Sequence, residues 1–226
     1  NDQKLKSAFE RIYNHRGRSI DLVLFDACLM AGTGTAWLMH HYVDYMGASQ
    51  EVVLGPGYNY YLTLQQLADK PLTPHDFLLH VISAYKQTYS KITNDFTHSG
   101  FALTQFYTLN QSIDALAQHL TYGLHNEKNY SVHRALRNSS VPRNCTHFDE
   151  PTYIDLDHFL TNLLQQASHI ELENNTQAYM DKLYTLTHTC QSVLRNLVVY
   201  NVSGPHFRHA YGISIYFPQT MLHASY

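Results

Sequence analysis

A chain of 226 residues with 44% hydrophobic and 15% charged side chains is long enough to bury a full core, and the expectation is one large domain. No stretch approaches the roughly 20 consecutive apolar residues of a membrane-spanning helix. A formal charge of -3, with acids and bases interspersed, leaves no electrostatic footprint for nucleic acid or an anionic surface, so neither is expected as a partner.

Along the chain, Leu5, Phe9, Ile12 and Tyr13 recur at helical spacing before Gly17, which predicts an amphipathic helix over residues 3–15. Residues 20–25 (IDLVLF) form a short apolar run suited to a strand buried on both faces of a parallel sheet, with Asp26, Ala27 and Cys28 at its carboxyl end. A small-residue turn (AGTGT) leads into helical spacing of Trp37, Leu38, His41, Tyr42 and Tyr45, predicting a helix from Thr33 or Thr35 to about Tyr45. Residues 51–54 (EVVL) then read as a second parallel strand ended by Gly55-Pro56-Gly57, completing a βαβ unit. Thr73, Pro74 and Asp76 spell a helix start, and residues 101–109 (FALTQFYTL) are a third strand candidate followed by a helix through Ile113, Leu116, Leu120 and Leu124. Residues 126–153 are polar and aperiodic and read as an exposed connection or insertion. Helices near 155–167 and 176–196 and strands at 197–202 and 213–217 complete an α/β pattern without internal repeats.

In open α/β sheets reaction sites lie beyond the carboxyl ends of the strands, where Asp26 and Cys28 fall. Side chains two apart on a strand share a face, so the carboxylate and the sulfur are expected in one crevice. From spacing alone a second reading stands beside this one: Cys28 as a small buried hydrophobe, with Asp26 capping the next loop. Of the other cysteines, a Cys145–Cys190 bridge and two buried free thiols both fit, which leaves the redox compartment open.

The run IDLVLFDACLMAGTGTAW resembles the nucleophile segment of clostripain-type cysteine peptidases, where an apolar strand enters Asp-Ala-Cys-Leu-Met and then a helix. Two further stretches follow in order. Ala48-Ser49 with GPGYNY (residues 55–60) is similar to that family's Ser-rich strand and Pro-Gly-x-Gly-Trp-x-Tyr element, and GISIYFP (residues 212–218) is similar to its terminal strand. The resemblance implies a caspase-like (clan CD) α/β fold: a mostly parallel sheet flanked by helices, with a helical insertion. Residues 1–226 would then be a single peptidase domain, incomplete at both ends.

Function follows the same resemblance: hydrolysis of peptide bonds after Arg or Lys by a Cys/His dyad, with Cys28 as nucleophile, its backbone N–H as an oxyanion donor and Asp26 in the substrate pocket. The family's histidine, in a His-Gly motif, would lie upstream of Asn1; autoprocessing between the two segments is one account of its separation from this chain, and an arbitrary sequence boundary is the other. That upstream segment and a peptide substrate are thus the implied partners, and a secreted or cell-envelope setting is favoured. Two departures stand out. His15 precedes Arg16 instead of glycine, and Pro56 stands where the family places an acidic pocket residue, which weakens the basic specificity. The rival reading is a non-catalytic caspase-like domain that binds peptides or serves as a scaffold.

No metal is expected. His40 with His41, His188 with Cys190, and His206 with His209 each lack the partners to complete a site. Some clostripain relatives use calcium, and Asp149, Glu150, Asp155 and Asp157 offer oxygens without EF-hand spacing, a pattern better read as a solvated acidic loop.

Overall fold

The structure, a computed structural model, describes residues 2–125 and 130–218. Helix α1 (Asp2–Arg16) leads into β1 (Ile20–Leu24), then α2 (Thr33–Met39), β2 (Val43–Ala48), α3 (Tyr60–Asp69), α4 (Pro74–Tyr89) and β3 (Thr97–Ala102). Helices α5 (Phe106–Leu124) and α6 (Tyr130–Ser140) follow, then β4 (Tyr153–Asp155), α7 (Leu156–Ala167), α8 (Thr176–Leu197), β5 (Val198–Ser203) and β6 (Ser214–Tyr216). The main sheet has four strands in the order β1-β2-β3-β5. β1 and β2 pair in parallel, while β3 pairs antiparallel with both β2 and β5. Three of the four strands therefore point the same way, and their carboxyl ends share one rim with Thr97 at the start of β3. The antiparallel pair β4 and β6 lies beside that rim, because Ser214 bridges to Gly32 just beyond Cys28.

Two apolar layers sandwich the sheet. On one face α2, α5, α6, α7 and α8 bury a largely aliphatic core containing Met39, Leu109, Leu160, Leu183 and Leu194. The other face carries α4, whose Leu78, Val81, Ile82, Tyr85 and Tyr89 pack with Tyr58, Phe96 and Val202. Helix α4 starts as its sequence dictates: the Thr73 side chain accepts from the Asp76 N–H and Pro74 needs no amide partner. It lies close to the strands because Gly47 and Gly100 are cross-strand partners. A Cβ on Gly100 would come within 2.8 Å of both Ile82 and Leu78, and one on Gly47 within 3.0 Å of Leu78.

Four expectations need correction. The helix before β2 ends at Met39, since the chain turns through His40 and residues 43–48 form the parallel strand expected at 51–54. Residues 51–54 are irregular, ending in the tight turn where the Gly57 N–H donates to the Leu54 carbonyl. The third strand lies at Thr97–Ala102, and most of 101–109 already belongs to a 3-10 turn (Leu103–Gln105) and to α5. The expected exposed connection holds α6, whose Ser131, Val132, Ala135, Ser139 and Ser140 are buried; residues 126–129 lie outside the described residues.

Candidate active site

β1 runs parallel to β2 up to Leu24, and the Phe25 N–H still donates to the Gly47 carbonyl. The chain then turns away from the sheet, leaving Asp26, Ala27 and Cys28 exposed at the rim. The turn is sharp: Leu29 adopts φ 60, a left-handed conformation that costs a non-glycine residue about 1–3 kcal/mol and collects at functional sites. Its surroundings hold it in place. The Leu29 N–H donates to the Glu51 carbonyl at 3.3 Å, the Ala31 N–H to the Ser49 carbonyl at 2.9 Å, and the Ala31 carbonyl accepts from the Ser214 N–H at 2.8 Å. The turn that bears Cys28 is thus pinned between the segment after β2 and strand β6.

Cys28 sits at the apex with its sulfur against Val53. The Val53 N–H points at Sγ from 3.3 Å, and the thiol donates to the Val53 carbonyl at 3.7 Å. The Cys28 N–H donates to no acceptor among the described residues. No described histidine hydrogen-bonds to this sulfur, and His15, at the far end of α1, is exposed. Cys145 and Cys190 are buried free thiols in separate surroundings, which settles the alternative left open by their number.

Asp26 lies on the same lip. Its Oδ2 accepts from the Tyr60 hydroxyl at 2.7 Å and from the Tyr58 N–H at 3.3 Å. Its carboxylate is packed against Gly57, which has φ +64; a Cβ there would collide with both oxygens. The hydrogen bond from Tyr60 to Asp26, and then the nearby negative charge, raise the phenol's pKa above its ordinary value. Beneath this lip is an aromatic group that the sequence reading did not single out. The Tyr58 hydroxyl lies 2.9 Å from His98 Nε2 and 3.2 Å from the Phe25 carbonyl, and the Tyr89 hydroxyl donates to the Gly57 carbonyl at 2.6 Å. Tyr85 stacks on the His98 ring at 4.6 Å. Burial drives the His98 pKa down to about 3, keeping the imidazole neutral, and raises that of Tyr58. His98 precedes the strand expected at 101–109, so no local pattern marked it; its place in β3 comes from the structure.

A second polar network holds the other side of the rim. The Thr97 hydroxyl accepts from the Gln50 and Glu51 N–H groups at 3.0 and 3.1 Å, and the Ser49 hydroxyl donates to the Thr97 carbonyl at 2.7 Å. Gln50 reaches Asp155 at 2.9 Å, and the Gly212 N–H donates to Gln50 Oε1. Asp155 is fully buried and also accepts from the N–H groups of His158 and Tyr211, so it is no part of a solvated acidic loop; burial raises its pKa to about 6. Among the described residues no cluster of three or more His, Cys, Asp or Glu side chains is placed to hold a metal ion. His40 packs between Trp37 and Phe106, and Trp37 is exposed instead of lining a core.

The comparisons with known proteins agree on one lineage. The model of the clostripain family matches residues 2–226. Clostripain of Hathewaya histolytica is 26% identical over 236 residues, covering 89% of this chain and 43% of that protein, so the chain spans less than half of that relative's length. A clostripain from Bacteroides thetaiotaomicron, solved in complex with the peptide inhibitor BTN-VLTK-AOMK, superposes with a TM-score of 0.62 at 14% identity, covering 96% of this chain and 85% of that one. An inactive zymogen C11 protease from Parabacteroides distasonis superposes with a TM-score of 0.61 at 16% identity, over 96% of this chain and 56% of that one. The superpositions bear out the expected caspase-like α/β fold, and the match of the family model along the described chain places it in the clostripain family of cysteine peptidases.

Proposed function

We propose that this chain carries the nucleophile half of a cysteine endopeptidase, with Cys28 as the attacking thiol. The observation that carries the reading is the exposed Cys28 on a left-handed turn at the carboxyl end of β1, its backbone N–H without an acceptor among the described residues. The sulfur, deprotonated by a histidine, attacks the scissile carbonyl carbon, and the carbonyl π pair moves onto oxygen, which the Cys28 N–H receives. Collapse expels the amine, which takes its proton from that histidine. Water then attacks the thioester, releasing the acid and restoring the thiol. An oxyanion donor of this kind contributes about 3 to 4 kcal/mol to the transition state.

The histidine belongs to a segment upstream of Asn1, which adds to the open edge of β1. That edge strand pairs only with β2 among the described residues, and all five of its residues are half-buried. A bare sheet edge of this kind invites another strand. The inactive zymogen among the similar structures supports maturation from an inactive precursor, and the relative solved with a peptide inhibitor supports a peptide substrate. Asp26 receives the side chain of a basic residue on the amino side of the scissile bond.

The test uses the full-length gene product. Cys28→Ala is expected to lower turnover of fluorogenic peptides by 1,000-fold or more and to abolish labelling by thiol-directed peptide inhibitors; retained turnover would place the nucleophile elsewhere.

A further inference from the structure

Resting on the reading of Asp26 as the pocket acid, we infer that Tyr60 and Pro56 make the pocket selective for lysine over arginine before the scissile bond. An oxygen has two lone pairs to offer, and Asp26 Oδ2 already spends both, on the Tyr60 hydroxyl at 2.7 Å and the Tyr58 N–H at 3.3 Å. Among the described residues nothing donates to Oδ1, and Asp26 pairs with no cation. Both oxygens sit beside Gly57, in the space a Cβ there would fill, and Gly57 is itself held by the turn to Leu54 and by the Tyr89 hydroxyl. The pocket therefore presents one free anionic oxygen at a fixed point.

Arginine and lysine use such a surface differently. A guanidinium gains most from two parallel N–H donors meeting both oxygens of one carboxylate, or from two carboxylates flanking its plane. The first arrangement is blocked at Oδ2 by Tyr60 and Tyr58. The second needs another acid, and Pro56, on the turn next to Gly57, has neither a side-chain acceptor nor an N–H. A lysine ammonium is a point charge with three freely rotating donors; one oxygen satisfies its charge and backbone carbonyls or water take the rest. Tyr60, an exposed residue with its hydroxyl aimed at the carboxylate, is the group that decides between them.

The experiment compares kcat/KM for peptides that differ only in lysine or arginine before the scissile bond, using the full-length gene product. Wild type is expected to favour lysine by about tenfold, roughly the worth of one charge-assisted hydrogen bond. Tyr60→Phe frees one lone pair of Oδ2, and Pro56→Asp supplies a second acid. Each is expected to raise arginine turnover relative to lysine at least threefold, through KM more than kcat. Equal or greater turnover of arginine by wild type, or a lysine-to-arginine ratio unmoved in both variants, overturns the selectivity while leaving the basic pocket intact. Cleavage of apolar peptides alone removes the basic pocket and this inference with it, and leaves Cys28 as nucleophile untouched.

Discussion

The two faces of the sheet solve the same burial problem with different side chains. The face under α5, α7 and α8 is filled mainly by aliphatic side chains with a few phenylalanines, and Asp155, Gln50 and Thr97 form a buried polar group at its rim. The face under α4 is aromatic, with Tyr58, Tyr85, Tyr89 and Phe96 surrounding a histidine in mid-strand. The aliphatic layer supplies volume, whereas the aromatic layer also carries hydroxyls that reach the backbone of Phe25 and Gly57, two residues that shape the lip. One fully buried acid–base group on each side, His98 and Asp155, is held away from its ordinary pKa, and these two are expected to respond to pH with opposite signs.

The largest expected effect belongs to His98. The unfolded chain protonates this imidazole near 6.5, while the folded chain resists until about 3. The stability it contributes is therefore complete above pH 6.5 and lost as pH falls through that window, to a total of about 5 kcal/mol. His98→Phe is expected to flatten this acid limb in urea unfolding measured from pH 7 to 3. A variant as acid-sensitive as wild type would detach the aromatic face from the pH response.

Asp155 comes next, with the sign reversed. Its folded pKa of about 6 lies above the ordinary 3.8, so its contribution is complete below pH 3.8 and lost as pH rises through about 6, to a total of about 3 kcal/mol. Between pH 3.8 and 6 the two slopes oppose each other. Asp155→Asn is expected to make the wild-type profile steeper in acid by removing that compensation, and an unchanged slope would show that Asp155 does not carry it.

The smallest effect tests the close approach of α4. Gly100→Ala is expected to cost about 1–3 kcal/mol because the new methyl meets Leu78 and Ile82. Gly34→Ala, in open space within α2, is expected to stabilise by roughly 0.5–1 kcal/mol. Thermal unfolding of the two variants separates packing from backbone entropy.

The sequence makes β1 and the start of α4 legible, because both depend on neighbours in the chain: a short run, apolar but for Asp21, ending at a turn, and a side-chain cap three residues from its amide partner. Strand β2 was hidden by Tyr42 and Tyr45, which continue the helical spacing of Trp37 although the chain has already turned at His40. Helix α6 was hidden by its small polar residues. The Ser131 hydroxyl donates to the Glu171 carbonyl and that of Ser139 to the Ala135 carbonyl, so serines occupy positions where periodicity looks for apolar side chains. Around Cys28 the tight Asp-Ala-Cys-Leu-Met run marked the turn, but the Tyr58 N–H and Tyr60 hydroxyl on Asp26 and the histidine below it come from segments 32 to 72 residues away by number, beyond the reach of local pattern.

The three thiols differ in a way that makes the native turn countable. Cys28 is exposed, while burial pushes Cys145 up to about 12 and Cys190 up to about 11. A soft alkylating reagent applied to folded protein would add one equivalent per chain, and denaturant would reveal two more. That stoichiometric step is an internal gauge of how many molecules in a preparation are correctly folded, readable by intact mass without any substrate.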